Sequence, residues 1–106
     1  MLKLEFTGIP HIETAKEAIY DRLEPVVLES DLLKQSQLSV QAELSEQPRF
    51  SGPAFKVSVT VHGGPLDGKR WSRVSKSLYV ALSELSEEME MTLAQRSKNR
   101  TRNAAS

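Results

Sequence analysis

The sequence predicts an α+β protein with two layers, in which two helices pack on one face of a four-stranded mixed sheet. Four segments alternate apolar and polar residues, as strands with one buried face do, and two others repeat apolar residues at helical spacing. Their order along the chain is β-α-β-β-β-α. The first two strands flank a helix, so we expect them to be parallel and joined by a right-handed crossover, with the later strands in an antiparallel meander.

The first strand and the first helix occupy the N-terminal part of the chain. The strand is predicted from the alternating apolar residues Leu2, Leu4 and Phe6. The helix is predicted from an apolar stripe formed by Ala15, Ala18, Ile19, Leu23 and Val26. Thr14 and Glu17 have the spacing of a capping box, so we expect the helix to begin there. Pro25 has no N–H to donate, which predicts an end or a kink near Glu24 and leaves the structure of residues 26–37 open.

Three further strands are predicted in the middle of the chain. The second strand has the apolar positions Leu38, Val40, Ala42 and Leu44. The third strand has the apolar positions Phe55, Val57, Val59 and Val61. The fourth covers Lys69 to Val74, after the glycine-rich sequence GGPLDGK at 63–69. This sequence has the spacing of a phosphate-binding loop, but Arg70 replaces the required Ser or Thr and a strand follows instead of a helix, so we interpret it as a turn.

The second helix begins near Ser77, which we expect to be its N-cap. Its apolar stripe consists of Leu78, Leu82, Leu85, Met89 and Leu93. We therefore assign residues 1–95 to a single α+β domain. Residues 96–106 contain no apolar anchor, and we expect them to form a basic, flexible C-terminal tail.

The composition is that of an ordinary soluble domain. Of its 106 residues, 39% are hydrophobic and 26% are charged. The absence of cysteine excludes disulfides and thiolate metal sites, and two histidines are too few for a metal centre. No apolar run approaches the roughly 20 residues of a membrane helix, and the N-terminus resembles a strand more than a signal peptide, so we expect a cytoplasmic protein. No group of residues indicates catalysis, so we expect neither an enzyme nor a cofactor.

The net charge is zero, but the charges occur in blocks of one sign. Residues 49–76 carry six Lys or Arg against one Asp, whereas residues 77–95 carry four Glu and no cation. Residues 96–106 carry four Lys or Arg and no acid. A basic surface is therefore compatible with a neutral protein.

The best candidate binding site is the basic cluster, which consists of Lys69, Arg70, Trp71, Arg73 and Lys76. Cations can hold phosphates while an indole stacks on a base, as in proteins that bind single-stranded nucleic acid. The alternative is a charged edge strand that prevents edge-to-edge pairing, with Trp71 half-buried over the core. The sequence leaves both interpretations open.

Four short segments, in this order of elements, are similar to the hibernation promoting factor and ribosome-associated inhibitor family, also called sigma-factor modulation proteins. The segments are LEFTG at 4–8, IETAKEAI at 12–19, HGG at 62–64 and SLYVALSEL at 77–85. The resemblance covers residues 1 to about 100 and depends on the order of the segments more than on identity. It implies the same two-layer α+β fold.

The resemblance also implies a non-enzymatic factor that binds RNA in the tRNA and mRNA channel of the small ribosomal subunit and modulates translation under stress. The basic positions that match the family's contacts are Lys16 and Arg22 on the first helix, and Arg96, Lys98 and Arg100 at the end of the second.

The second helix differs in charge from the corresponding helix of that family, which is rich in lysine and arginine. Its exposed positions here include Glu84, Glu87, Glu88 and Glu90. Carboxylates that face phosphates oppose RNA binding. The alternative function is therefore a protein–protein interaction module of the same fold, which has lost ribosome binding and uses this acidic helix or the open face of the sheet to hold a protein partner.

Overall fold

Six elements follow one another in the order β-α-β-β-β-α. The computed structural model describes the backbone of residues 2–105 and the side chains of residues 2–96. The strands and helices are β1 (Leu2–Thr7), α1 (Ile12–Glu29), β2 (Gln37–Glu46), β3 (Pro53–His62), β4 (Arg70–Ser75) and α2 (Leu78–Ala105). The predicted α+β class and the predicted element order are confirmed.

The sheet has the strand order β1-β2-β3-β4, so that β1 and β4 are its two edges. β1 pairs with β2 in parallel, as predicted, and β3 pairs with both of its neighbours in antiparallel fashion. The register aligns Leu4 with Val40, Val40 with Val59, and Val59 with Trp71. Because side chains alternate between the faces of a strand, this row places apolar residues from all four strands on one face.

Both helices cover this apolar face. α1 packs on β1 and on α2, whereas α2 packs on β3, β4 and α1. The side chains at the centre of the core are fully buried and come from both layers: Ile19, Leu23, Leu38, Val59, Leu82 and Leu85. The two layers therefore share one continuous core, with α2 between α1 and the β4 edge.

The start and the middle of α1 differ from the prediction. The helix begins at Ile12 with His11 as its N-cap and no side-chain capping bond, so the capping box predicted for Thr14 was wrong. Ala15, in the first turn, is buried and belongs to the hydrophobic core. Pro25 does not end the helix, which continues to Glu29. The next two residues, Val26 and Val27, are buried. The free energy gained from their burial offsets the cost of the backbone hydrogen bond that proline removes.

Residues 30–36, which the sequence left open, form turns that join α1 to β2. Leu32 and Leu33 are buried in the core, which explains why this segment follows a defined path without regular structure. Ser36 donates a hydrogen bond from its hydroxyl to the carbonyl oxygen of Gly63, 2.8 Å away. This bond ties the segment to the turn between β3 and β4.

The N-cap predicted for α2 is confirmed, because the Ser77 hydroxyl accepts a hydrogen bond from the N–H of Val80 at 3.4 Å. α2 extends to Ala105, past the boundary predicted at Gln95. The predicted tail, 96–106, falls almost entirely outside the residues whose side chains the structure describes, and its flexibility stays a prediction.

Two leucines on α1 provide a matched test of this packing. Leu23 is 0% exposed, whereas Leu28 is 65% exposed on the same helix. We expect Leu23→Ala to lower the free energy of unfolding by about 2–5 kcal/mol because it leaves a cavity. Leu28→Ala should change it by less than about 0.5 kcal/mol. Urea unfolding of both variants measures the difference, and equal destabilisation would contradict the placement of α1.

Candidate nucleic-acid interface

The turn before β4 brings the basic cluster to the edge of the sheet. The side chain of Asp67 accepts a hydrogen bond from the N–H of Gly63 at 2.7 Å, and Leu66 is buried beneath the turn. Gly64 has a φ of +75°, a backbone conformation that residues with a side chain rarely adopt. The segment closes with a bond from Lys69 N–H to the Leu66 oxygen. It is a turn that leads into a strand, as predicted, and not the start of a helix.

The basic cluster is divided between the two faces of the sheet. Trp71 lies opposite Val59, and it therefore points toward the helices together with Arg73. Arg70 lies opposite Thr60 on the other face, which the helices leave uncovered. Lys76 follows the end of β4, in the connection to α2. The cations of the cluster therefore do not form a single patch.

Trp71 is a core residue. It is only 2% exposed, and its Nε1–H donates a hydrogen bond to the Thr92 hydroxyl of α2 at 3.2 Å. An indole that is buried in this way offers no face to a nucleic-acid base, so the stacking role predicted for Trp71 was wrong. The Lys69 ammonium lies 5.7 Å from the ring centroid, within the range of a cation–π interaction. The alternative interpretation, a tryptophan packed on the core, describes its position better.

Arg73 pairs with a carboxylate of α2. Its guanidinium lies 2.7 Å from Glu88, and the two side chains are 46% and 39% exposed. The pair lies beside Trp71 and Thr92, so that an ion pair and a hydrogen bond together join β4 to α2. Because Glu88 is anionic, the charge that Arg73 presents to a polyanion is largely neutralised.

Lys76 fixes a loop. Its ammonium donates hydrogen bonds to the backbone oxygen of Ser51 at 2.7 Å and to the Ser51 hydroxyl at 3.2 Å. Ser51 belongs to the connection between β2 and β3, which therefore lies against the end of β4. Arg49 in the same connection is exposed, so the loop brings a further cation beside β4. Its sequence, QPRFSG, resembles an ordinary loop, and only the contact with Lys76 reveals where this cation lies.

The two cations of α1 lie on the other side of α2. Arg22 donates a hydrogen bond of 2.6 Å to the Ser83 hydroxyl of α2, and thus lies in the groove between the helices. Lys16 is exposed and lies six positions earlier, which turns it about a third of a helical turn away from Arg22. Because α1 packs on β1 and α2 packs on β4, α2 lies between these two cations and the basic cluster.

Three cations of the predicted interface are exposed and have no hydrogen bond or ion pair with any other part of the chain that the structure describes. They are Lys16, Arg70 and Arg96. Lys98 and Arg100 lie outside the residues whose side chains are described. On α2, the carboxylates of Glu84, Glu87 and Glu90 are exposed between these basic regions. The solvent-facing surface of α2 is therefore acidic between Glu84 and Glu90.

Neither a metal site nor a membrane-spanning helix is found among the described residues. Within them, no group of three or more His, Cys, Asp or Glu side chains is placed to hold a metal ion. None of the helices, as far as the structure describes them, combines the length and the apolar character needed to cross a membrane.

The fold and the site define a small two-layer α+β protein with a cationic sheet edge and an acidic outer helix. No protein-family model and no curated protein matches the sequence. Among solved structures, the chain is similar to a ribosomal subunit interface protein from Coxiella burnetii. The TM-score is 0.67 at 13% sequence identity, and the alignment covers 92% of this chain and 99% of that chain. A likeness at this identity establishes that the fold is shared.

The burial of Trp71 can be tested by fluorescence, because it is the only tryptophan of the chain. We expect native emission at a short wavelength and weak quenching by iodide, since the indole is shielded from water. Unfolding in urea should shift the emission to longer wavelength and restore the quenching. Strong iodide quenching of the folded protein would contradict the core position.

The Arg73–Glu88 pair can be measured with a double-mutant cycle. Because both side chains are more than a third exposed, we expect a coupling free energy of only about 0.2–1 kcal/mol from Arg73→Ala, Glu88→Ala and the double variant. A cycle between Arg70 and Glu88 is the control, since Arg70 lies on the opposite face and should show no coupling. Urea unfolding provides the free energies, and equal coupling in both cycles would contradict the assigned faces.

Proposed function

We propose that this protein is a non-enzymatic, cytoplasmic, ribosome-associated factor that binds RNA of the small ribosomal subunit and modulates translation under stress. The observation that carries the proposal is the fold, which is shared over nearly the whole chain with a protein described as a ribosomal subunit interface protein. The exposed cations supply the physical means, because binding to phosphates releases counterions.

The RNA contacts in this proposal come first from the exposed, unpaired cations Lys16, Arg70 and Arg96. Lys98 and Arg100 continue the positive charge beyond Arg96 in the sequence. The cations Arg22, Lys69, Arg73 and Lys76 contribute less, because each already has a partner within the protein. Trp71 has no part in the contact and acts only through the fold.

A second candidate function is favoured by the exposed carboxylates Glu84, Glu87 and Glu90 of α2. At a phosphate surface these carboxylates would weaken binding, whereas a basic protein would be attracted to them. This function is a protein–protein interaction module in which α2 holds a basic protein partner.

The RNA proposal predicts the behaviour of a triple variant, Lys16→Ala with Arg70→Ala and Arg96→Ala. Co-sedimentation with small ribosomal subunits should weaken, and the dependence of log affinity on log salt should become less steep by about 0.7 to 0.9 for each phosphate contact that is lost. Lys34→Ala is the matched control, because Lys34 is exposed but pairs with Asp31 at 2.9 Å in the turn segment. Unchanged sedimentation of the triple variant would exclude these cations from the contact.

Neutralising the acidic helix separates the two functions. Glu84→Gln with Glu87→Gln and Glu90→Gln should raise the affinity for ribosomal subunits if the protein faces RNA. The same variant should lose a nuclease-resistant protein partner if α2 is the docking surface. Pull-downs from lysate at low salt, with and without nuclease, distinguish these outcomes.

A further inference from the structure

The outer edge of β4 has backbone groups that are not used by the sheet. Within the part of the chain that the structure describes, β4 has one neighbouring strand, β3. Val61 donates its N–H to the oxygen of Lys69 at 2.9 Å, so Lys69 belongs to a hydrogen-bonded pair of this antiparallel ladder. Such pairs alternate with pairs whose N–H and C=O groups point away from the partner strand. The backbone groups of Arg70, Ser72 and Val74 therefore point out of the sheet at its free edge.

A groove of about 490 Å³ runs along this edge. It is lined on β4 by three consecutive residues, Ser72, Arg73 and Val74. Consecutive strand residues project to opposite faces, so a groove that touches all three must follow the edge of the strand. The other walls are residues 47–50 of the loop held by Lys76, and Glu84 of α2. The groove is therefore a preformed channel beside an open row of hydrogen-bonding groups.

The charge around this edge is predominantly positive. The cations on or beside β4 are Lys69, Arg70, Arg73, Lys76 and Arg49. Three carboxylates of the described residues accompany these five cations, namely Asp67 in the turn before β4, Glu84 at the groove and Glu88 paired with Arg73. This surplus favours an anionic partner and disfavours pairing with the β4 edge of a second copy, where like charges would meet.

We propose that the free edge of β4 binds an extended acidic segment of a partner protein, which adds a fifth strand to the sheet. The outward N–H and C=O groups supply the main-chain hydrogen bonds, and alternate acidic side chains of the segment lie on the same face of the sheet as Arg70. A peptide backbone has the regular row of donors and acceptors that matches this edge, whereas a phosphate chain has no donors. This binding activity goes beyond the proposed ribosome association and does not depend on it.

A labelled seven-residue peptide of alternating valine and glutamate tests the proposal. An added strand bonds to the sheet through one of its two edges, and therefore through the N–H groups of every second residue. We compare two isomers of the peptide, one N-methylated at the odd-numbered residues and the other at the even-numbered residues. One isomer should bind the protein like the unmethylated peptide, and the other should bind at least tenfold more weakly, as measured by fluorescence anisotropy. A peptide with lysine in place of glutamate should not bind.

A pair of substitutions at Ser72 tests the same bonds from the side of the protein. Ser72→Pro removes one outward N–H and leaves every cation in place, and the register with β3 does not use that N–H. We expect at least a tenfold loss of peptide affinity. Ser72→Ala is the control, because it loses the hydroxyl bond to Ser58 but keeps the N–H, and it should bind like the original chain. Circular dichroism and urea unfolding establish that both variants are folded.

Several results would overturn the proposal. Equal binding of the two N-methylated isomers would mean that only side-chain charges attract the peptide. Binding of a ten-residue oligouridylate without binding of the peptide would assign the edge to RNA. A dimer in sedimentation equilibrium that Ser72→Pro dissolves would assign the edge to a second copy of the chain. Co-sedimentation of Ser72→Pro with ribosomes is an independent measurement, and it should be unchanged.

Discussion

The packing of α2 on β3 and β4 around Trp71 is the interaction on which the rest of the structure depends. The indole is buried against the helix and bonded to Thr92, and the Arg73–Glu88 pair lies beside it. Because the helix and the edge strand are joined here, the acidic block and the basic block of the sequence become neighbours in space. The ion pair removes part of both charges from the surface. α2 then separates the exposed cation Lys16 on α1 from Arg70 on β4, while Arg96 lies on α2 itself.

This chain shares its fold with the Coxiella burnetii protein at only 13% sequence identity. The fold therefore places few constraints on which residues occupy the surface. The core needs apolar residues at alternating strand positions and along one stripe of each helix, and many side chains satisfy that pattern. Charges on the outer face of α2 are not constrained by it. The acidic surface of this helix is thus compatible with the architecture, and proteins that share this topology can differ in the partners that their exposed groups bind.

The sequence was informative wherever apolar residues alternate or repeat. The pairing of Leu4, Val40 and Val59 in one row follows from the pattern of the first three strands. β4 lacks such a pattern, because Trp71 and Arg73 share one face while Arg70 and Val74 share the other. Its orientation is fixed by the register with β3, which is a tertiary contact. The capping box predicted for α1 and the helix end predicted near Pro25 were wrong for a related reason, since local signals there are overridden by burial of the neighbouring residues.

The parallel pairing of β1 with β2 also sets an order in which the sheet can assemble. Partners in these two strands, such as Glu5 and Gln41, are 36 positions apart, whereas Thr60 and Arg70 of β3 and β4 meet across a short turn. Closing the longer loop costs more chain entropy, and nearby contacts form sooner than distant ones. During synthesis β1 emerges before β2, and the whole of α1 is made between them. β1 therefore stays without its partner strand of the described sheet until β2 has left the ribosome.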